Sequence, residues 1–283
     1  MPHPGRPAHR SHQVTLERAL SKLGVLSRTQ ARVAILAGRV AVDGVVTREP
    51  ERWVVPERGL SLDGKPVSRQ LAATFAMHKP TGFVTTRADE LRRRTIYDLL
   101  PAGMPWLFPI GRLDRDSSGL LLLTNDTRLG EAISGSASTV RKVYEVTLET
   151  PVDDDALEPF RAGFELTDGT RLEPVGVRIT DPLGRELVFE LREGKNRQIR
   201  RMVEAIDNRV VRLHRTAIGP VQLGTLAPGA LRPLTANEVA ALAQHVRRPD
   251  AADPQRGTPV RERRRRTDTG RSSTGEPRRR PRR

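Results

Sequence analysis

The sequence predicts an α+β protein: a small unit of two helices and a hairpin, then a larger unit on a mixed, mainly antiparallel sheet, then a charged tail. Three observations carry this. Helical spacing of apolar residues is confined to short stretches, with strand-like runs between or before them. Leu120 to Leu123 form an unbroken apolar run that fits a strand buried on both faces. Residues 247–283 hold 14 Arg against 5 Asp or Glu, so +9 of the formal +15 charge sits there and +6 on the rest.

After a flexible start over residues 1–13, Leu16, Ala19, Leu20 and Leu23 recur on one face of a helix that Gly24 closes. A second helix begins at Ser27, with Gln30 completing a capping box and Ala31, Ile35 and Leu36 expected to face inward before Gly38 ends it. Val40 to Val42 and Val45 to Thr47 flank Asp43 and Gly44, a hairpin with a turn that accepts positive φ. These elements define a unit over 14–68. On the outer side of its second helix stand Arg28, Arg32 and Arg39.

The second unit is expected over 74–246. HKPTGFVTT, at 78–86, reads as a strand with a bend, and YDLLP, at 97–101, as the end of a short helix cut off by Pro101. The leucine strand follows, bounded by Gly119 and Asn125. RKVYEVTLE, at 141–149, alternates with Tyr144, Val146 and Leu148 on the inward side. Glu186 to Leu191 forms another strand. It runs through a basic turn into a helix whose Ile199, Met202, Val203 and Ile206 face inward. Val210 to Leu213 suggests a further strand, and residues 234–246 a last helix capped by Thr235 with Glu238. The tail, 247–283, has too few large apolar side chains to offset the entropy of ordering and is expected to be disordered.

Composition narrows the function. There is no cysteine, which excludes disulfides, thiol nucleophiles and cysteine-held zinc, and the six histidines show no ligand spacing. No run of about 18 apolar residues and no secretory signal is present, so a soluble, cytoplasmic protein is expected. The Arg-rich tail suits a polyanion such as RNA, bound through phosphates in a salt-dependent way.

Chemistry is expected in GRLDRDSSGLLLLTND at 111–126, a doubly acidic loop running straight into the buried strand. An aspartate at the mouth of such a strand can be aimed to a fraction of an ångström, as a nucleophile or base requires. Asp114 is the first candidate. Asp116 reads as a loop carboxylate and Asp126 as a turn residue after the strand. An Mg²⁺ site on Asp114 and Asp116 is opposed by the flanking Arg112 and Arg115.

GVLSRTQARVAILAGRVAVDG resembles the small RNA-binding domain first described in ribosomal protein S4, over about residues 14–68. The resemblance implies that Arg28, Arg32 and Arg39 contact RNA phosphates. Over about 14–245, GRLDRDSSGLLLLTND, KVYEV at 142–146 and EGKNRQIRRM at 193–202 together resemble the pseudouridine synthases, in the ribosomal RNA branch called RsuA/RluB. That implies a catalytic domain with a cleft across a twisted sheet, isomerising uridine in structured RNA with no cofactor and no metal. Thr127 stands where family members commonly have Gly.

By this resemblance Asp114 either attacks the ribose as a nucleophile or removes its 2′ proton, the sequence leaving both open. Arg200 would pair with Asp114 and orient it. Tyr144 would stack on the flipped uracil and Ile199 close its opposite face, while Arg112, Lys195 and Arg197 would contact RNA. The partner implied is ribosomal RNA or a precursor particle, with no membrane, no small-molecule cofactor and a monomeric enzyme. The N-terminal unit and basic tail lean toward large-subunit RNA. The rival reading is a non-catalytic RNA-binding ribosome-assembly protein of the same fold.

Overall fold

A computed structural model describes residues 13–87, 89–135, 138–166 and 168–247. The first 12 residues and the tail beyond Arg247 lie outside them, as therefore does nearly all of the expected disorder.

The N-terminal elements follow from capping and apolar spacing. Strand β1 (Val14–Thr15) leads into α1 (Leu16–Lys22), and α2 (Arg28–Leu36) starts with the capping box of Ser27 and Gln30. Then come β2 (Val40–Val42), β3 (Val45–Val46), β4 (Trp53–Val54), β5 (Leu60–Leu62) and β6 (Lys65–Pro66). The order β3-β2-β5-β6 makes one antiparallel sheet, and β1 pairs with β4. Asp43 and Gly44 both take positive φ in the β2–β3 turn. The apolar core here joins Leu16, Leu20 and Leu23 to Ala31, Ala34 and Ile35. Leu36, expected inward, is 52% exposed. The inward set recurs at i, i+3 and i+4, and position 36 lies about 100° further round a helix that ends there.

The larger sheet contains β7 (Thr74–Lys79), β8 (Phe108–Ile110), β9 (Ser118–Thr124), β10 (Lys142–Leu148), β11 (Gly176–Ile179), β12 (Glu186–Leu191), β13 (Val210–Ile218), β14 (Val221–Gln222) and β15 (Leu231–Pro233). Its order is β11-β12-β10-β13-β9-β7-β15, with β14 on β13 and β8 on β9. Every pairing is antiparallel except β13 with β9, so the sheet is mixed and mainly antiparallel as expected. A 3₁₀ turn (Ile96–Leu99) precedes Pro101, and the helices are α3 (Thr127–Ser134), α4 (Glu158–Ala162), α5 (Gln198–Glu204) and α6 (Ala236–Arg247). Among the described residues no helix is long and apolar enough to cross a membrane.

Strand β9 is the axis of this unit. Leu120 and Leu122 pack with Ile133 of α3 and Leu242 of α6, while Leu121 and Leu123 pack on the other face with Ile96, Leu107 and Leu113. All four leucines are fully buried, each contributing about 1.5–3 kcal/mol. The second core, around Phe160, Phe189 and Met202, lies under β10 to β12 with α4 and α5.

Beyond Leu36, four sequence readings change. The strand expected at 78–86 ends at Lys79 and begins at Thr74, because Pro80 and the turn at Gly82 stop it. Asp126 is not a simple turn residue: its Oδ1 accepts from the amides of Arg128 and Leu129 and caps α3, so Thr127 opens a helix. The run from Val210 continues to Ile218 rather than stopping near Leu213. The segment between β10 and β12, left blank by periodicity, holds α4 and β11, both too short to show a period.

Candidate active site

The loop between β8 and β9 is fixed from below by residues whose importance the sequence did not disclose. Lys79, at the end of β7, is wholly buried, and its Nζ donates to the carbonyls of Pro80 at 3.1 Å, Asp114 at 2.9 Å and Ser117 at 2.7 Å. Burial draws its pKa down to about 8, opposed by the nearby Asp114 and Asp116 carboxylates. Thr85 Oγ1 donates to the Leu113 carbonyl at 2.7 Å and accepts from the Leu113 amide at 3.2 Å. The Gly82 amide reaches the Arg115 carbonyl at 2.7 Å. Residues 79–85, read from sequence as part of a strand with a bend, thus clamp both sides of Asp114. A lysine next to a proline at a strand end was the available signal.

The Asp114 side chain remains 36% exposed, facing Arg197, whose Nη1 lies 3.6 Å from Oδ2. Arg197 takes a left-handed φ of 48° just ahead of α5. Arg200, expected to pair with Asp114, pairs with Asp116 instead: Nη2 lies 3.1 Å from Oδ2 and donates to the Asp116 carbonyl at 3.2 Å. Its Nη1 donates to the Val210 carbonyl at 3.1 Å, which ties the start of β13 to the acidic loop through α5. The cause is register along α5. Arg200 is buried within the first turn, under the loop, whereas Arg197 stands at the open end of the helix.

Asp114 opens on a cleft of about 380 Å³, within the range of small-ligand sites. Tyr144, Ile199, Leu191 and Leu213 give it apolar walls, and Arg112, Lys195 and Arg197 its cationic rim. Tyr144 is half-buried, and its hydroxyl accepts from Arg215 Nη1 at 3.3 Å. Arg215, another residue the sequence did not single out, donates Nε to the Leu120 carbonyl at 2.7 Å and so joins Tyr144 to β9. Lys195 is already engaged, 3.0 Å from Glu193 and donating to the Arg171 carbonyl. Of the expected cluster, Asp114, Tyr144, Ile199, Arg112, Lys195 and Arg197 therefore line one cleft, and Arg200 lies beneath it. A larger hollow of about 420 Å³ between α4 and α5, walled by Phe160 and Phe164, touches none of these groups.

Arg28, Arg32 and Arg39 lie apart from the cleft, on the N-terminal unit. Arg28 and Arg32 reach the same carboxylate, Glu17, at 3.2 and 3.3 Å, and Arg39 pairs with Asp63 at 2.6 Å. All three remain exposed, and such pairs are worth little in water.

Residues 73–205, with the acidic loop, Tyr144 and α5 inside them, match the family described as RNA pseudouridylate synthase. The chain belongs to the RNA pseudouridine synthases. Residues 14–56 match the S4 domain. The chain is 37% identical over 239 residues to an uncharacterized RNA pseudouridine synthase of Aquifex aeolicus (strain VF5), covering 83% of this chain and 95% of that one. It is 37% identical over 225 residues to ribosomal small subunit pseudouridine synthase A of Escherichia coli (strain K12), covering 78% and 96% respectively. A crystal structure of a pseudouridylate synthase superposes with a TM-score of 0.61 at 29% identity, covering 81% of this synthase and 99% of that chain. The α+β architecture, an S4 domain ahead of a synthase domain, agrees with what the sequence motifs implied.

Proposed function

We infer that this synthase converts uridine to pseudouridine in ribosomal RNA and that Asp114 carries the reaction. The supporting observation is its placement: a partly exposed carboxylate on a loop clamped by Lys79 and Thr85, facing a cleft walled by Tyr144 and Ile199. The isomerisation breaks the bond between uracil nitrogen and ribose, turns the base, and rejoins it through a ring carbon, which then loses its proton while the freed nitrogen ends protonated. An ionised aspartate serves either route, attacking the ribose carbon or taking the 2′ proton. Tyr144 stacks on the extruded base, returning about 1–3 kcal/mol of the few that extrusion costs. Ile199 closes the opposite face. Arg197 orients Asp114, while Arg200 holds the loop through Asp116. Arg112, Lys195 and, on the S4 domain, Arg28, Arg32 and Arg39 meet phosphates; the last three exchange weak ion pairs for RNA.

Asp114→Asn keeps the size of the side chain and removes its reactivity. Ribosomal transcripts incubated with this variant should gain no pseudouridine yet bind as tightly as to the parent. Conversion by the variant would refute the role of Asp114; tight binding without conversion by the parent would leave an RNA-binding assembly protein. Mapping pseudouridine in cells with and without the protein identifies the ribosomal subunit. The large-subunit expectation rests on the N-terminal unit together with a tail outside the described residues, whereas the Escherichia coli relative is named for the small subunit.

A further inference from the structure

Beside the Asp114 cleft, and sharing Gly111, Arg112, Tyr144 and residues 193–195 with it, lies a second hollow of about 310 Å³. Adjacent strands build its floor. Lys142 and Tyr144, two residues apart, share a face of β10, and Tyr144 is in register with Arg215 on β13. Arg215 is only 3% exposed; Nε and Nη1 are satisfied by the Leu120 carbonyl and the Tyr144 hydroxyl, but buried Nη2 has no partner among the described residues. Such an orphan donor is unfavourable unless something entering the hollow accepts a hydrogen bond from it. Lys142 Nζ reaches the Arg192 carbonyl at 3.1 Å, and burial, with the charge of Arg215, draws its pKa down to about 8. Among the described residues, five cationic ones, Arg112, Lys142, Arg192, Lys195 and Arg215, line the hollow against one acid. That acid, Glu193, is already occupied by Lys195 at 3.0 Å and Gln198 at 2.7 Å.

We propose that this hollow seats a backbone phosphate of the RNA next to the extruded uridine, held by Arg215 Nη2 and Lys142 Nζ. An anion is the fitting ligand because it satisfies the orphan donor and offsets two adjacent cations, whereas a neutral base edge does only the first. The nucleotide is then gripped at two points, its base on Tyr144 and its phosphate one strand pleat away. This rests on the ribosomal RNA reading above.

The test measures binding of transcripts of the small- and large-subunit ribosomal RNAs between about 50 and 200 mM salt, together with single-turnover conversion. Lys142→Met should weaken binding about tenfold, one charge-assisted contact. It should also flatten the slope of log affinity against log salt by about 0.7–0.9, one phosphate. Conversion should fall at subsaturating RNA and recover at saturation, and Lys142→Arg should restore the slope. Arg215→Lys, which keeps the charge but loses the guanidinium fork, should weaken binding without flattening the slope. An unchanged slope with Lys142→Met overturns the proposal, including the case in which only the saturated rate falls, which would make Lys142 a positioning residue for Tyr144. A Lys142-dependent slope in a parent protein that makes no pseudouridine would instead sink the synthase reading and leave the phosphate seat standing.

Discussion

Replacing Lys79 with Met removes the cation threaded beneath the loop that carries Asp114. The Met side chain fills most of the same apolar channel but donates nothing, so the carbonyls of Pro80, Asp114 and Ser117 lose a buried donor at 3.1, 2.9 and 2.7 Å. The Asp114 carbonyl keeps the Ser117 amide at 3.1 Å, and the other two, left unsatisfied, cost about 1–3 kcal/mol each. Against this stands the recovered cost of burying an ammonium, the same cost that draws the lysine pKa down to about 8. The net loss is on the order of 3 kcal/mol, as when one partner of a buried charged network is removed. For a chain of this size each kcal/mol moves the melting temperature by about 2–4 °C, so calorimetry should register a fall of ~6–12 °C. Activity should fall further than stability. Assayed well below its melting transition, the variant should convert RNA about 100-fold more slowly at saturation, the cost of misplacing a reacting group by about 1 Å. A variant that melts within about 2 °C of the parent and turns over at the parental rate would refute the claim that this shell positions Asp114.

Two further perturbations test the frame and its charges. Gly119→Ala places a Cβ 2.2 Å from the Arg215 carbonyl oxygen at a φ of +106°, where β9 meets β13 in its parallel pairing. Strain and overpacking should cost about 3 kcal/mol or more, and a melting curve unchanged from the parent would contradict that close approach. Glu238→Gln removes the charge that Arg232 meets at 2.7 Å, an interaction that holds the Glu238 carboxyl down at about 2. A depressed carboxylate stabilises the fold above its unfolded value and loses that contribution as pH falls. The parent should therefore exceed the variant by about 1 kcal/mol near neutrality, and the gap should close between about pH 4.5 and 2. A gap constant across that window would sink the assignment.

Where a residue's role depended on its own strand or helix, the sequence was legible. The four leucines declared a strand buried on both faces, the Ser27 and Thr235 capping boxes declared two helix starts, and the alternation around Tyr144 put its ring inward. What depended on contacts between distant segments was not. Lys79 meets Asp114 across 35 positions and Arg215 meets Tyr144 across 71, and no periodicity encodes such pairings. The Arg200 pairing failed for a related reason. The sequence placed Arg200 on the right helix but could not tell which of two carboxylates, Asp114 or Asp116, would lie over its buried guanidinium.

That exchange of partners makes chemical sense. A buried, hydrogen-bonded pair with Arg200 would satisfy the Asp114 carboxylate in the resting enzyme and stabilise the ground state that the proposed reaction has to leave. Asp116 takes that pair instead, so the loop is anchored through a carboxylate other than the one proposed to react. Asp114 keeps only a 3.6 Å approach from an exposed guanidinium, worth about 1 kcal/mol while water fills the cleft. When a nucleotide displaces that water the same pair strengthens several-fold, because the dielectric around it falls. On the proposed mechanism the orienting force on Asp114 is thus weak before substrate arrives and strong once it has, a difference that Arg200, already buried without substrate, could not supply.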